Sequence, residues 1–150
     1  MKTLMISLAL TTLFSFGAFA ANPGNQMLTK ECVYDFAVHG GAVGQIPVCG
    51  NQSIPSGAVV MDMYYMVETA FTSGGSATVA LGDVASGARY LAATAFNNAA
   101  FTAAVPAKAA IGVPFKLDSA NKGKLAITVA TAALTAGKMK MWVVFYVPKS

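Results

Sequence analysis

The chain is poor in the residues that do chemistry. It has 1 His, 2 Cys and 1 Trp in 150 residues, and charged side chains make up only 11%. The single histidine, His39, is followed by Gly40-Gly41, a setting in which imidazole is normally a solvated turn residue rather than a base. No serine sits in a G-x-S-x-G elbow, so a hydrolase triad lacks its nucleophile. Gly40, Gly41 and Gly44 lack both the G-x-G-x-x-G spacing and a following helix, and there is no Walker loop or EF-hand calcium loop.

Paired carboxylates are equally scarce. Asp62 and Glu68 share one face of an extended segment but would lie about 20 Å apart, and Glu31 and Asp35 about 13 Å. A glycosidase pair needs roughly 5 to 9.5 Å. Asp83 with Asp118 is a long-range alternative, but surface charge at strand ends is the simpler role. Two thiols and one imidazole form a poor zinc set. The sequence therefore points away from an enzyme and implies no cofactor.

Charge also speaks against nucleic acid. The formal net charge is +4 and becomes +3 without Lys2. Lys122 and Lys124 lie far along the chain from Lys138 and Lys140, so no compact basic stripe with interleaved aromatics forms. Lys138 and Lys140 read instead as charged gatekeepers ahead of the apolar run 141–147.

Among the features present, the first twenty residues come first. Lys2, an apolar run over 4–16 and Ala18-Phe19-Ala20 form the pattern of a secretory signal. The run is too short to span a bilayer, and no later segment of the chain is long and apolar enough to do so. Residues 1–20 are thus expected to be a signal peptide, 21–30 a polar leader and 31–150 one domain. The product would be exported to the periplasm, cell surface or exterior, in a bacterial setting. In that compartment Cys32 and Cys49 are expected to form a disulfide. It would close a loop of roughly 17 residues and stabilise the domain by about 3 kcal/mol. Asn51-Gln52-Ser53 is an N-x-S sequon, relevant only in a host that glycosylates it.

The mature part alternates. In 59–71 the odd positions Val59, Met61, Met63, Tyr65, Val67, Thr69 and Phe71 are nearly all apolar, while the even positions include Asp62, Tyr64, Met66 and Glu68. A period of two with β-branched and aromatic content predicts a long strand. Residues 31–38 predict a first strand with 43–48 returning beside it, the two cysteines closing the hairpin base. Ser73-Gly74-Gly75 predicts a hairpin between 59–71 and 76–81. Residues 90–104 predict a short helix or irregular crossover, broken near Asn97-Asn98. Residues 109–117 predict an edge strand, because Pro114 cannot donate to a ladder.

Residues 125–134 and 138–147 predict a final hairpin around Thr135-Ala136-Gly137, a three-residue loop ending in Gly. That register sets Ala130 opposite Trp142, Thr128 opposite Val144 and Ala126 opposite Tyr146. The whole pattern predicts an all-β, antiparallel β-sandwich or jelly-roll-like domain. Trp142, Val144 and Tyr146, with Tyr64 and Met66, fall opposite the core stripe. They form either a second buried layer or a subunit contact, and an aromatic platform for carbohydrate is a third use.

Asp62 with Tyr64-Tyr65, the run FTSGGSATVALGD over 71–83 and the ending LTAGKMKMWVVFYV over 134–147 together resemble small β-sandwich virion structural proteins of tailed phages. The resemblance covers most of 54–147 and consists of strand and turn signatures. It implies a non-enzymatic fold assembling into homo-oligomers, such as trimers, on a capsid, tail or fibre; it transfers no functional residue. The signal and the cysteine pair lie outside that family pattern and fit a related domain exported by a bacterium for a surface or envelope assembly. The resulting expectation is an exported structural module that self-associates, the alternative a secreted module binding glycan or envelope material.

Overall fold

The structure is a computed structural model, and it describes residues 26–49, 54–102, 104, 106–111, 113–117 and 123–148. The signal segment, the sequon, Asp118 and Lys122 lie outside the described residues. Among the described residues nine strands and two single-turn helices follow one another: β1 (Leu28–Asp35), α1 (Phe36–His39), β2 (Gly44–Pro47), β3 (Val59–Ser73), β4 (Thr78–Asp83), β5 (Leu91–Ala95), α2 (Ala99–Thr102), β6 (Ala107–Lys108), β7 (Phe115–Lys116), β8 (Leu125–Ala130) and β9 (Leu134–Tyr146).

All pairings are antiparallel. One sheet runs β1-β9-β3-β6, with β7 also on β3; the other runs β2-β8-β4-β5. The inner faces meet in a single core. From the first sheet come Cys32, Tyr34, Val60, Met63, Tyr65, Val67, Phe71, Met139, Met141, Val143 and Phe145, and from the second Val79, Leu81, Leu125, Ile127 and Val129. The all-β sandwich expected from alternation is the fold observed.

Connectivity differs from expectation at three places, always in the same way. β8 and β9 do not form a hairpin: β8 pairs with β2 and β4, and β9 with β1 and β3. β3 and β4 likewise lie in different sheets, as do β1 and β2. Each short connection is an arch across the sandwich. The expected facing of Ala130 and Trp142 therefore does not occur. Gly137 lies inside β9 at φ 145°, and an added Cβ would come within 2.8 Å of the Phe71 ring. Its glycine serves close packing rather than a turn. The chain turns instead at Thr131, which is held at φ 72°.

Smaller departures have local causes. β1 starts at Leu28 rather than Glu31 and ends where Asp35 caps α1, its Oδ1 accepting from the Ala37 N–H at 2.9 Å. A bulge at Met61 changes the phase of β3, so Val60 is buried and Val59 and Met61 are only half-buried. The segment 90–104 contains a strand, β5, before α2, and Asn98 Oδ1 accepts from Ala100 N at 3.0 Å as that helix opens. Phe101 of α2 is fully buried against Phe71, ring centroids 5.4 Å apart. Of the strand expected over 109–117 only β7 forms; β6 lies just before that range, and both fragments pair on the edge of β3. The edge position stands, and the interruption falls around Pro114.

The outer faces of the two sheets have different fates. On the second sheet the small outward residues of β4 and β8 are covered by 84–90. A Cβ on Gly82 would overlap Ser86 O, and Thr128 Oγ1 donates to Gly87 O at 3.2 Å. On the first sheet nothing in the described chain covers the outward residues of β9.

Candidate interaction face

β9 is central in the first sheet, so each of its outward side chains is flanked by one from β1 and one from β3. At Trp142 the row reads Glu31, Trp142, Tyr64, Lys108. Two residues along it reads Thr29, Val144, Asp62, and two residues the other way Val33, Lys140, Met66. Tyr146 lies opposite Val59. The five residues expected to share a face, Tyr64, Met66, Trp142, Val144 and Tyr146, are thus brought together on one side of one sheet. They are not a second buried layer: Tyr64 is 38% exposed and the other four are half-buried. Of the three roles open to this face, intrachain core is removed.

Their polar tips are held from within the chain. Trp142 Nε1 donates to Glu31 Oε2 at 2.7 Å, which fixes the indole across the strand pair. Lys108 Nζ lies 2.7 Å from Asp62 Oδ1 and 5.9 Å from the Tyr64 ring centroid, a cation–π approach. The hydrogen bond to Asp62 raises the Lys108 pKa. The row thus presents the Trp142 and Tyr64 rings between the exposed charged residues Glu31 and Lys108.

The end of the face beside α1 is charged. Lys140 Nζ pairs with Glu68 Oε1 at 2.7 Å, and Lys138 Nζ lies 3.4 Å from Asp35 Oδ2 and 3.7 Å from Glu68 Oε2. A bulge at Glu68 brings its carboxylate beside both lysines. The Lys140 contact holds Glu68 below the usual carboxylate range. For Asp35 the Ala37 N–H acts first, then Lys138. Lys138 and Lys140, read as gatekeepers, are members of this network.

The candidate catalytic residues that the structure describes lie apart. His39 Nδ1 lies 3.2 Å from Asp35 N and 3.1 Å from Asp35 O, and its ring stacks on Tyr34 at 5.8 Å, so it finishes the α1 turn. Among the described residues no three His, Cys, Asp or Glu side chains gather around one point. Asp83, expected as surface charge at a strand end, is instead a buried carboxylate. It is fully buried, its Oδ2 2.7 Å from Arg89 Nε and its Oδ1 accepting from Ala85 N at 3.0 Å and Ser86 N at 2.7 Å. It ties down the segment over the second sheet. Gly82-Asp83 looked like an ordinary strand end, and nothing local marked the burial.

By overall shape the chain resembles solved phage capsid structures. A chain of the cyanophage Pam1 capsid asymmetric unit superimposes with a TM-score of 0.61 at 22% identity, over 99% of this chain and 98% of that one. The fold is that of a phage capsid chain. The acid-stable capsid of Helicobacter pylori bacteriophage KHP30 supplies a second such chain, with a TM-score of 0.56 at 15% identity over 82% and 89%. No family model matches the sequence, and no characterised protein matches it. The fold is thus shared with capsid chains at an identity of 22% or less. That agrees with the soft strand and turn signatures through which the sequence resembles β-sandwich virion proteins.

Proposed function

We propose that this chain is a non-enzymatic structural protein of a phage-type particle, and that it self-associates through the outer face of β1, β9 and β3. The observation that carries the reading is the aromatic strip of Tyr64, Trp142 and Tyr146 on an uncovered sheet face of a capsid-chain fold. Apolar outward surface of this kind marks subunit contacts. The occupant we assign is a second copy. The ion pairs on the face are satisfied within the chain, so two identical faces meet without net like-charge repulsion. Residues 1–20 would direct export, and the Cys32–Cys49 disulfide would form in that oxidising compartment.

Light scattering on the disulfide-bonded protein at high concentration tests this. A homo-oligomer is expected, weakened by Trp142→Ala and by Val144→Asp while the circular dichroism spectrum stays that of the parent. A strict monomer overturns the reading.

A second reading has one specific observation in its favour. Trp142 and Tyr64 are direct cross-strand neighbours with Glu31 and Asp62 beside them, an arrangement that offers ring faces and acceptors to a sugar. Glycan-array binding abolished by Trp142→Ala, in a protein that stays monomeric, would favour that alternative.

A further inference from the structure

The two edges of the five-stranded sheet differ in charge and in length. One row of outward side chains crosses it as Glu31, Trp142, Tyr64, Lys108, with the carboxylate on β1 at one edge and the ammonium on β6 at the other. Both end residues are exposed. The other outward charge of β1 is Asp35, held by Lys138, and the other at the far edge is Lys116 of β7, opposite Val59. Lys30 lies on the other face of β1. Among the described residues Glu31 accepts from the Trp142 indole and forms no ion pair. Lys108 reaches Asp62, and an ammonium has two further donors. As a strand, β1 pairs with β9 over eight residues with no register shift and no proline, and β9 is its only strand partner among the described residues. The remaining edges are short or irregular: β2 has four residues and Pro47, β5 has five and a shifted register, β6 and β7 have two each. A long regular edge is a template for another strand.

We infer that β1 of one copy pairs with the β6 edge of a second copy standing beside it in the same orientation, so that Glu31 of one faces Lys108 of the other. Three antiparallel steps lead from β1 through β9 and β3 to β6, so β1 and β6 run in opposite directions within the chain. Side by side at one level, two copies therefore bring these edges together antiparallel, and the row continues as Tyr64, Lys108, Glu31, Trp142. The opposite charges then form a direct cross-strand pair, which stabilises that register. The same charges disfavour the symmetric alternatives. The outward residues of β1 are Thr29, Glu31, Val33 and Asp35, so no register of β1 against a second β1 gives Glu31 a cation. β6 against β6 sets lysine beside lysine. The contact is heterologous, each copy using a different edge, so successive copies close into a ring or extend as a strip according to the rotation between them. This contact lies on the sheet edges. It adds to the self-association reading above and is separable from the face contact proposed there.

A zero-length carbodiimide, which condenses a carboxylate with an amine to an amide as the reagent takes up the water, tests this on the disulfide-bonded protein. Within one chain Glu31 and Lys108 are three strand spacings apart, about 14 Å, so an amide between them joins two copies. Covalent oligomers carrying a Glu31–Lys108 peptide pair are expected by mass spectrometry. The amide between Lys108 and Asp62, 2.7 Å apart within the chain, is the internal control that the reagent has reached Lys108. Lys108→Arg keeps the positive charge and removes the amine, so light scattering should still show the oligomer while the link is lost. An oligomer that gives the control amide and no Glu31–Lys108 link overturns the edge pairing and leaves the face contact standing. A Glu31–Lys108 link in an oligomer insensitive to Trp142→Ala and Val144→Asp supports the edge pairing and overturns the face contact. A strict monomer overturns both.

Discussion

Cys32 and Cys49 join the two sheets to each other. Cys32 lies in β1, on the edge of the five-stranded sheet, and Cys49 follows β2, on the edge of the four-stranded one, with Cα atoms 5.3 Å apart. The bond clamps one open side of the sandwich. β2 is only four residues long, carries Pro47 and has β8 as its sole strand partner, so the clamp matters most there.

Reduction, or Cys32→Ser with Cys49→Ser, should cost about 3 kcal/mol from the loop closed in the unfolded chain. Urea unfolding with and without reductant measures this. Hydrogen exchange should show 44–48 losing protection first.

The Asp83–Arg89 pair should be asymmetric. Asp83→Ala leaves the partly buried Arg89 guanidinium without its counter-ion and removes the acceptor of two backbone N–H groups, a loss of about 3 kcal/mol. Arg89→Leu keeps those N–H contacts and some packing on Phe115, where the guanidinium sits 4.9 Å from the ring centroid. It also strips the fully buried carboxylate of its counter-ion, and its cost should be about 2 to 3 kcal/mol, still below that of Asp83→Ala. Thermal unfolding of the two variants ranks them, and equal losses would contradict this account.

Thr131 holds a β-branched side chain at φ 72°, where L-residues meet a penalty of about 1 to 2 kcal/mol. Thr131→Gly should raise stability by roughly 0.5 to 1 kcal/mol after the entropy of glycine is subtracted. Thr131→Asn should raise it by a similar amount. Chemical denaturation midpoints give the answer, and a loss for both variants would contradict a strained turn.

Stability should fall on both sides of neutrality for different reasons. Burial keeps the Tyr34 phenol neutral and pushes its pKa up to about 12, with the hydroxyl donating to Gly40 O at 2.8 Å. Burial also pushes Tyr90 up. In the unfolded chain these phenols ionise near pH 10, so above that pH the unfolded state holds fewer protons than the folded one. Their contribution is complete below about pH 10 and is lost as pH rises toward 12. Asp35 and Glu68 act oppositely. Their lowered pKa values stabilise above the ordinary carboxylate range, and that part is lost as pH falls through the lowered values. Phenolate absorbance with parallel denaturation curves reads the alkaline arm. Tyr34→Phe should flatten part of it.

Alternation along the chain was enough to settle the class of fold, the inward stripe of β9 and the outward set Tyr64, Met66, Trp142, Val144 and Tyr146, because side-chain direction in a strand is a local property. The cysteine pairing was legible too, since only two thiols exist. Partner choice between strands was not. A three-residue link such as 131–133 serves a hairpin or an arch equally well, and Gly137 looked like a turn residue because Phe71, which needs the space, is 66 positions away. Whether Trp142 faced the core, a covering segment or solvent depended on where 84–90 came to rest. It lies on the small residues of β4 and β8, where close approach is open, and leaves the aromatic face of β9 bare. Burial is decided by contacts between distant parts of the chain, and only the tertiary structure contains them.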